Sequence, residues 1–72
     1  MNYKKRIINV LVELTNRGND DIKISAISAL GDYQATIEHE DAINRLLDLC
    51  QNSNKEIAIT AINSLSKLSK YF

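Results

Sequence analysis

The chain consists of two similar halves. When the sequence is shifted by 35 residues, residues 8–30 align with residues 43–65. Ten positions in this alignment are identical: Ile8/Ile43, Asn9/Asn44, Leu11/Leu46, Leu14/Leu49, Asn19/Asn54, Ile22/Ile57, Ile24/Ile59, Ala26/Ala61, Ile27/Ile62 and Leu30/Leu65. A period of roughly 20–50 residues is typical of stacked repeats, in which one unit cannot bury its apolar face alone. The sequence therefore predicts a repeat architecture, and such architectures present extended binding surfaces.

Four helices joined by short turns follow from the distribution of helix breakers and apolar residues. The chain has no proline, and its only glycines are Gly18 and Gly31, so few positions interrupt a helix. Asn19 and Asn54 occupy matching positions, where an asparagine side chain can accept hydrogen bonds from the first backbone N–H groups of a helix. Because Gly31 matches Ser66, inside the last helix, we expect the second helix to continue past Gly31. The predicted helices lie near residues 3–16, 20–35, 41–51 and 55–70.

These elements predict a single all-α domain over residues 1–72. Repeat unit 1 would occupy residues 3–35, and repeat unit 2 would occupy residues 36–72. Each unit forms an antiparallel helical hairpin, and the two hairpins stack as four helices into a minimal α-solenoid. Helical spacing assigns the following residues to the core: Leu11, Leu14, Ile22, Ala26, Leu30, Leu46, Leu49, Ile57, Ala61 and Leu65.

Composition argues against several classes of function. Nine basic and nine acidic residues cancel, which removes the electrostatic attraction that nucleic-acid binders use. No apolar stretch approaches the roughly 20 residues of a membrane span. Cys50 is the only cysteine and His39 the only histidine, so neither an internal disulfide nor a typical set of metal ligands is available. We expect no nucleic acid, no membrane and no cofactor. The unpaired thiol, without a recognisable targeting peptide, predicts a cytoplasmic protein.

No group of residues predicts catalysis. Residues 38–41, Glu-His-Glu-Asp, form the densest polar cluster, but sequence neighbours do not share one helix face. A solvated loop that opens the third helix explains this cluster better than a metal or acid–base site. Cys50 falls on a helix face near the core, where no histidine is placed to activate it, so we expect a buried, inert thiol. The sequence predicts a protein that is not an enzyme.

One repeated feature predicts a partner-binding surface. Ile24 and the matching Ile59 lie about 160–200° from the apolar stripe on a helical wheel of about 100° per residue. Small or polar residues surround both of them and would let another backbone approach closely. The candidate partner-binding residues are Ile24, Ser28, Gly31, Ile59, Asn63 and Ser66. Alternatively, the two isoleucines lie at the margin of a wide apolar face, and Ile27 and Ile62 pack between repeats.

Two segments resemble a known repeat family. Residues 19–31, Asn-Asp-Asp-Ile-Lys-Ile-Ser-Ala-Ile-Ser-Ala-Leu-Gly, resemble the turn and second helix of short HEAT-like repeats of the bacterial and archaeal type. Residues 46–49, Leu-Leu-Asp-Leu, resemble the Leu-Leu-x-Leu of the first helix. The resemblance covers almost the whole chain as two units and implies a protein-binding scaffold. The chain departs from the family pattern because its turns lack proline and because Ala58 replaces the basic residue that Lys23 supplies in the first unit.

The predicted function is a small non-enzymatic protein–protein interaction module. As an adaptor or inhibitor, it would bind a protein partner of unknown identity through its second and fourth helices. The alternative is a structural homo-oligomer, a homodimer included, built by stacking of the uncapped repeat ends. The acidic excess of residues 36–56 and the basic run Lys4–Arg6 suit head-to-tail contact. A nucleic-acid-associated or lyase-like HEAT protein is the third alternative, which zero net charge and the missing catalytic residues disfavour.

Overall fold

Four α-helices account for most of the chain. The computed structural model describes residues 2–72, and over this range it contains no β-strand. The helices are α1 (Tyr3–Leu14), α2 (Asp20–Asp32), α3 (Glu40–Leu49) and α4 (Lys55–Ser69), and a 3₁₀ helix at Gln34–Glu38 connects α2 to α3. The four predicted helices are confirmed, although α2 ends before the expected residue 35.

The matching asparagines begin the second helix of each hairpin. Asn19 Oδ1 accepts a hydrogen bond from the Ile22 backbone N–H at 2.9 Å. Asn54 Oδ1 accepts from the N–H groups of Glu56 and Ile57 at 2.9 and 3.2 Å. The predicted equivalence of the two N-caps is confirmed, and each cap satisfies donors that have no partner within the helix.

The polar cluster at residues 38–41 begins the third helix, as predicted. His39 is the N-cap of α3, and its Nδ1 accepts a hydrogen bond from the Ala42 N–H at 3.2 Å. Glu40 and Asp41 follow in the first turn, where a negative charge interacts favourably with the helix dipole. Because Nδ1 is an acceptor, the ring proton lies on Nε2, which donates to Asn9 Oδ1 at 2.8 Å.

The end of α2 is set by residues of the connection rather than by Gly31. The helix continues past Gly31 to Asp32, and Tyr33 is extended, with φ −103°. Thr36 is buried and donates its hydroxyl to the Leu30 carbonyl at 2.9 Å. The same carbonyl accepts from the Tyr33 N–H at 3.3 Å, so the Thr36 hydroxyl is its second donor and ties the connection to the end of α2.

The four helices form two antiparallel hairpins that lie side by side. α1 packs on α2 and α3 packs on α4, and the most extensive packing between helices joins α2 to α4. α1 and α3 also meet, over a smaller surface. This all-α stack of two hairpins is the predicted fold, and it measures 35 × 26 × 16 Å.

The core lies between the two hairpins. Ile8, Ile27 and Leu30 of the first hairpin form one buried cluster with apolar residues of α3 and α4. The predicted core residues found buried are Ala26, Leu30, Leu46, Leu49, Ile57 and Ala61. Those found partly buried are Leu11, Leu14 and Leu65. The prediction for Ile22 is wrong. It is 43% exposed, whereas the matching Ile57 is 2% exposed, because the first hairpin covers Ile57 and no hairpin covers the outer side of α2.

Candidate protein interaction surfaces

Most of the predicted partner-binding residues line one cleft. Ile24 and Ser28 of α2 face Asn63 and Ser66 of α4 across a shallow cleft of about 460 Å³. Ser64, Thr60 and Lys67 complete its lining, so its surface is largely polar. Ile59 does not line this cleft and is 47% exposed.

Gly31, the remaining predicted residue, is not on the surface. It is buried, and a Cβ added to it would lie 2.6 Å from the Ser64 Cα and Cβ atoms. That separation is far below ordinary van der Waals contact. The sequence correctly indicated that a backbone approaches closely here, but the backbone is that of α4 in the same chain. The assignment of Gly31 to a partner-binding surface is therefore corrected.

Hydrogen bonds cross the junction between the hairpins at its centre. The Ser64 hydroxyl donates to the Ile27 carbonyl at 2.8 Å, and both residues are buried. Arg45 donates from Nε to Thr15 Oγ1 at 3.0 Å and from Nη2 to the Thr15 carbonyl at 3.1 Å. These bonds fix the register of the two hairpins, because a shift would leave buried polar groups unpaired.

Further polar pairs cross the same junction nearer to solvent. Asn54 Nδ2 donates to Asp20 Oδ2 at 2.9 Å, and Lys67 Nζ donates to Asp32 Oδ1 at 3.0 Å. Over residues 2–72, each buried side-chain nitrogen or oxygen has a hydrogen-bond partner. No buried side-chain donor or acceptor at the internal junction is therefore left without a partner.

The exposed apolar residues lie mainly on the two outer sides of the stack. Tyr3, Ile7, Val10 and Ile22 are exposed on the first hairpin, and Leu47, Ile59 and Ile62 on the second. We define the α1–α2 end face by Ile7, Val10, Leu11, Leu14, Ile22 and Ala26. We define the α3–α4 end face by Ile43, Leu47, Cys50, Ile59, Ile62 and Leu65. On the α1–α2 end face, an open groove of about 460 Å³ runs between Leu11 and Leu14 on one side and Ile22 and Ala26 on the other.

A comparison with known protein families supports the stack of two helical hairpins. Residues 8–70 match the family model described as HEAT repeats. The chain belongs to the HEAT repeat family. Searches of curated proteins and of solved structures gave no match.

HEAT repeats stack so that each unit contacts its neighbours, and the first and last units of a stack each have one uncovered side. Each end face is the side of one hairpin that the other hairpin of this chain does not cover. Cys50, a free thiol, shows the effect: it is partly buried rather than buried as expected, whereas the matching Thr15 is buried in the internal junction. The sequence did contain a signal for this difference, because Arg45 matches Val10 and Gly31 matches Ser66.

Among residues 2–72, no three His, Cys, Asp or Glu side chains are grouped so that they could hold a metal ion. HEAT repeat proteins are generally non-catalytic and commonly take part in protein interactions. None of the helices between residues 2 and 72 is both long enough and apolar enough to cross a bilayer.

Proposed function

We propose that this chain is a non-enzymatic protein-interaction module whose binding surfaces are its two end faces. The observation that carries the proposal is the distribution of exposed apolar side chains. Apart from Tyr71 and Phe72 near the C-terminus, the large apolar residues that are exposed lie on or beside these two faces. Contiguous exposed apolar surface of this kind typically marks an interaction site.

The end faces suit a protein partner better than the cleft between α2 and α4 does. Ile22 lines the open groove of the α1–α2 end face, and Ile7 and Val10 line a second open depression on α1; both have a largely apolar lining. The cleft presents mainly hydroxyl and amide groups, with Ile24 at its margin. Since burial of apolar area is the main favourable term in most protein association, the end faces would contribute more to binding.

The two end faces define the proposed role of each repeat unit. Each hairpin is a repeat unit, over residues 3–35 and 36–72, and supplies one end face. An adaptor would use both faces at once, and an inhibitor would need only one.

The single free thiol at Cys50 suits a reducing compartment such as the cytoplasm.

Capture from host cells tests the proposal. Tagged parent chain would be compared with the Val10→Glu/Ile62→Glu variant, which places a carboxylate on each end face. Both positions are more than half exposed, so the fold should survive with a change of about 0.5 kcal/mol or less per site. Gln51→Glu, in an exposed turn, is the matched control for added charge.

We expect proteins held by the parent and by Gln51→Glu to be lost from the double variant, because an unpaired carboxylate in an apolar contact is costly to bury. If the double variant retains every captured protein, the end faces are not the binding surfaces. Asn63→Arg, in the cleft between α2 and α4, tests the original prediction in the same assay. Loss of capture by that variant alone would assign binding to the cleft.

A further inference from the structure

We infer that each end face binds a second copy of this chain, added head to tail in the register that already joins the two hairpins. The inference rests on the proposed function and names its partner. The α3–α4 end face of one copy would receive the α1–α2 end face of the next. The internal junction is the template, and a shift of 35 residues converts each of its contacts into a contact between copies.

The apolar part of the template carries over directly. Inside the chain, Ile27 lies in one buried cluster with residues of α3 and α4 that include Leu46 and Ile57. The shift replaces Ile27 by Ile62 and the pair Leu46 and Ile57 by Leu11 and Ile22 of the second copy. Ile62 is 51% exposed, and Leu11 and Ile22 line the open groove on the α1–α2 end face. A protruding isoleucine on one face therefore matches a groove on the other.

One polar pair of side chains in the template is replaced by a pair of apolar side chains, because both of its members differ between the two units. Arg45 donates two hydrogen bonds to Thr15 across the internal junction. The matching residues are Val10 and Cys50. If only one partner had changed, a buried donor or acceptor would be left unpaired. Because both side chains changed together, the contact between Val10 of the second copy and the Cys50 side chain leaves no side-chain donor or acceptor unpaired. Only the Cys50 carbonyl loses the partner that the Thr15 carbonyl has.

The charged pair of the template keeps opposite signs. Lys67 of the second hairpin pairs with Asp32 of the first, and the shift exchanges the two residues, so Asp32 of the second copy would meet Lys67. His39 Nε2 donates to Asn9 Oδ1 across the internal junction. The shift replaces His39 by Lys4 of the second copy and Asn9 by Asn44, which are again a donor and an acceptor. Complementary charges at the rim favour this orientation of the two copies.

Three features make the contact between copies weaker than the internal one. Ser66 takes the place of Gly31, so its Cβ would clash with Ala29 of the second copy, as a Cβ on Gly31 would clash with Ser64, and the helices must lie farther apart. The hydroxyl of Ser64, which bonds to the Ile27 carbonyl, is absent at Ala29. The shift also places Phe72 of one copy and Asn2 of the next at the same position, so the residues near Phe72 must adopt another conformation to avoid an overlap. We expect association that strengthens with concentration.

The experiment uses one variant blocked on each face. Val10→Glu blocks the α1–α2 end face, Ile62→Glu blocks the α3–α4 end face, and Gln51→Glu is the control for charge. Sedimentation velocity from micromolar to near-millimolar protein would give the mass of each. Circular dichroism would confirm that all variants keep the parent's helicity.

We expect the parent and the control to exceed the monomer mass of 8.1 kDa progressively. Each blocked variant should remain monomeric alone. Mixed together, they should form a one-to-one dimer and nothing larger, because one intact α3–α4 end face then meets one intact α1–α2 end face. Ser66→Gly should associate more strongly than the parent, since it restores the close approach found at Gly31.

Other outcomes would overturn the inference in distinguishable ways. A two-fold dimer would leave one blocked variant dimeric and would give no new species on mixing. A parent that stays monomeric throughout would exclude self-association. In that case, capture of a different protein that depends on Val10 and Ile62 would still support the proposed function. If the double variant also lost no captured protein, both proposals would fail.

Discussion

Ile27 in α2 is completely buried, whereas Ile62, at the same position of α4, is 51% exposed. The opposite holds for Ile22 and Ile57, of which only the residue in α4 is buried. Both pairs have identical side chains at identical positions of similar helices. The environment of a residue in this fold is therefore decided by which side of its hairpin has a neighbour.

This comparison separates two kinds of surface made from one sequence pattern. The internal junction combines apolar burial with the hydrogen bonds of Ser64 and Arg45 and with the close approach at Gly31. The end faces keep the apolar residues, but the positions that match Ser64, Arg45 and Gly31 are occupied by Ala29, Val10 and Ser66. Polar contacts that specify a unique register are thus concentrated at the junction that must always form.

The largest expected effect contrasts Ile27→Glu with Ile62→Glu. The first places an unpaired carboxylate in the buried cluster, and we expect a cost above about 4 kcal/mol, enough to unfold a chain of this size. The second places it on an exposed face, at a cost of about 0.5 kcal/mol or less. Urea denaturation followed by circular dichroism checks both. An Ile27→Glu variant that unfolds cooperatively at the parent's midpoint would contradict the assignment of the core.

The next contrast is between Leu30→Ala and Leu65→Ala. Leu30 is completely buried, and its truncation should cost roughly 2–5 kcal/mol. Leu65 is partly buried beside the α3–α4 end face, so its truncation should cost less than that of Leu30, because less apolar area is lost from the packed interior. Denaturation of dilute protein measures both. Equal losses in dilute protein would mean that Leu65 is covered as fully as Leu30.

A smaller effect distinguishes Gly31→Ser from Ser66→Gly. A serine at position 31 would force its Cβ against the Ser64 backbone, and such overpacking should cost about 1–3 kcal/mol. Glycine at position 66 should cost only about 0.5–1 kcal/mol, through the greater freedom of the unfolded chain. Thermal and urea midpoints of the two variants check the order. A Gly31→Ser variant as stable as the parent would show that α2 and α4 can separate freely.

Features that depend on a few consecutive residues could be predicted from the sequence. Asn19 and Asn54 were identified as caps because a cap needs only its own side chain and the next N–H groups. The helices followed from their apolar spacing, and the hairpin stack followed from the repeat. The cluster at residues 38–41 was also correctly placed at the start of α3, although the bond from His39 to Asn9 joins residues distant in sequence.

Exposure could not be predicted in this way, because the repeat makes both units look alike. Ile22 was assigned to the core with Ile57, and Gly31 to a partner-binding surface with Ser66. In each error, one residue of the pair is buried by the other hairpin and its counterpart is exposed. The positions at which the two units differ, such as Val10 against Arg45, carry the information about which side is covered. The role of the cleft at Ile24 and Ser28 stays a prediction.

The smallest effect separates two parts of one asparagine's contribution. Asn19→Ala and Asn54→Ala should each cost about 1 kcal/mol through the lost cap, and Asn54 should cost more because its Nδ2 also bonds to Asp20 across the junction. Serine keeps the cap acceptor but cannot replace that amide donor. Asn19→Ser should therefore be nearly neutral, whereas Asn54→Ser should lose about 0.5–1 kcal/mol, as expected for one partly exposed hydrogen bond. Combining Asn54→Ser with Asp20→Ala in a double-mutant cycle isolates that bond. A coupling energy of zero would mean that the rim of the internal junction contributes no more to stability than the open rims of the end faces.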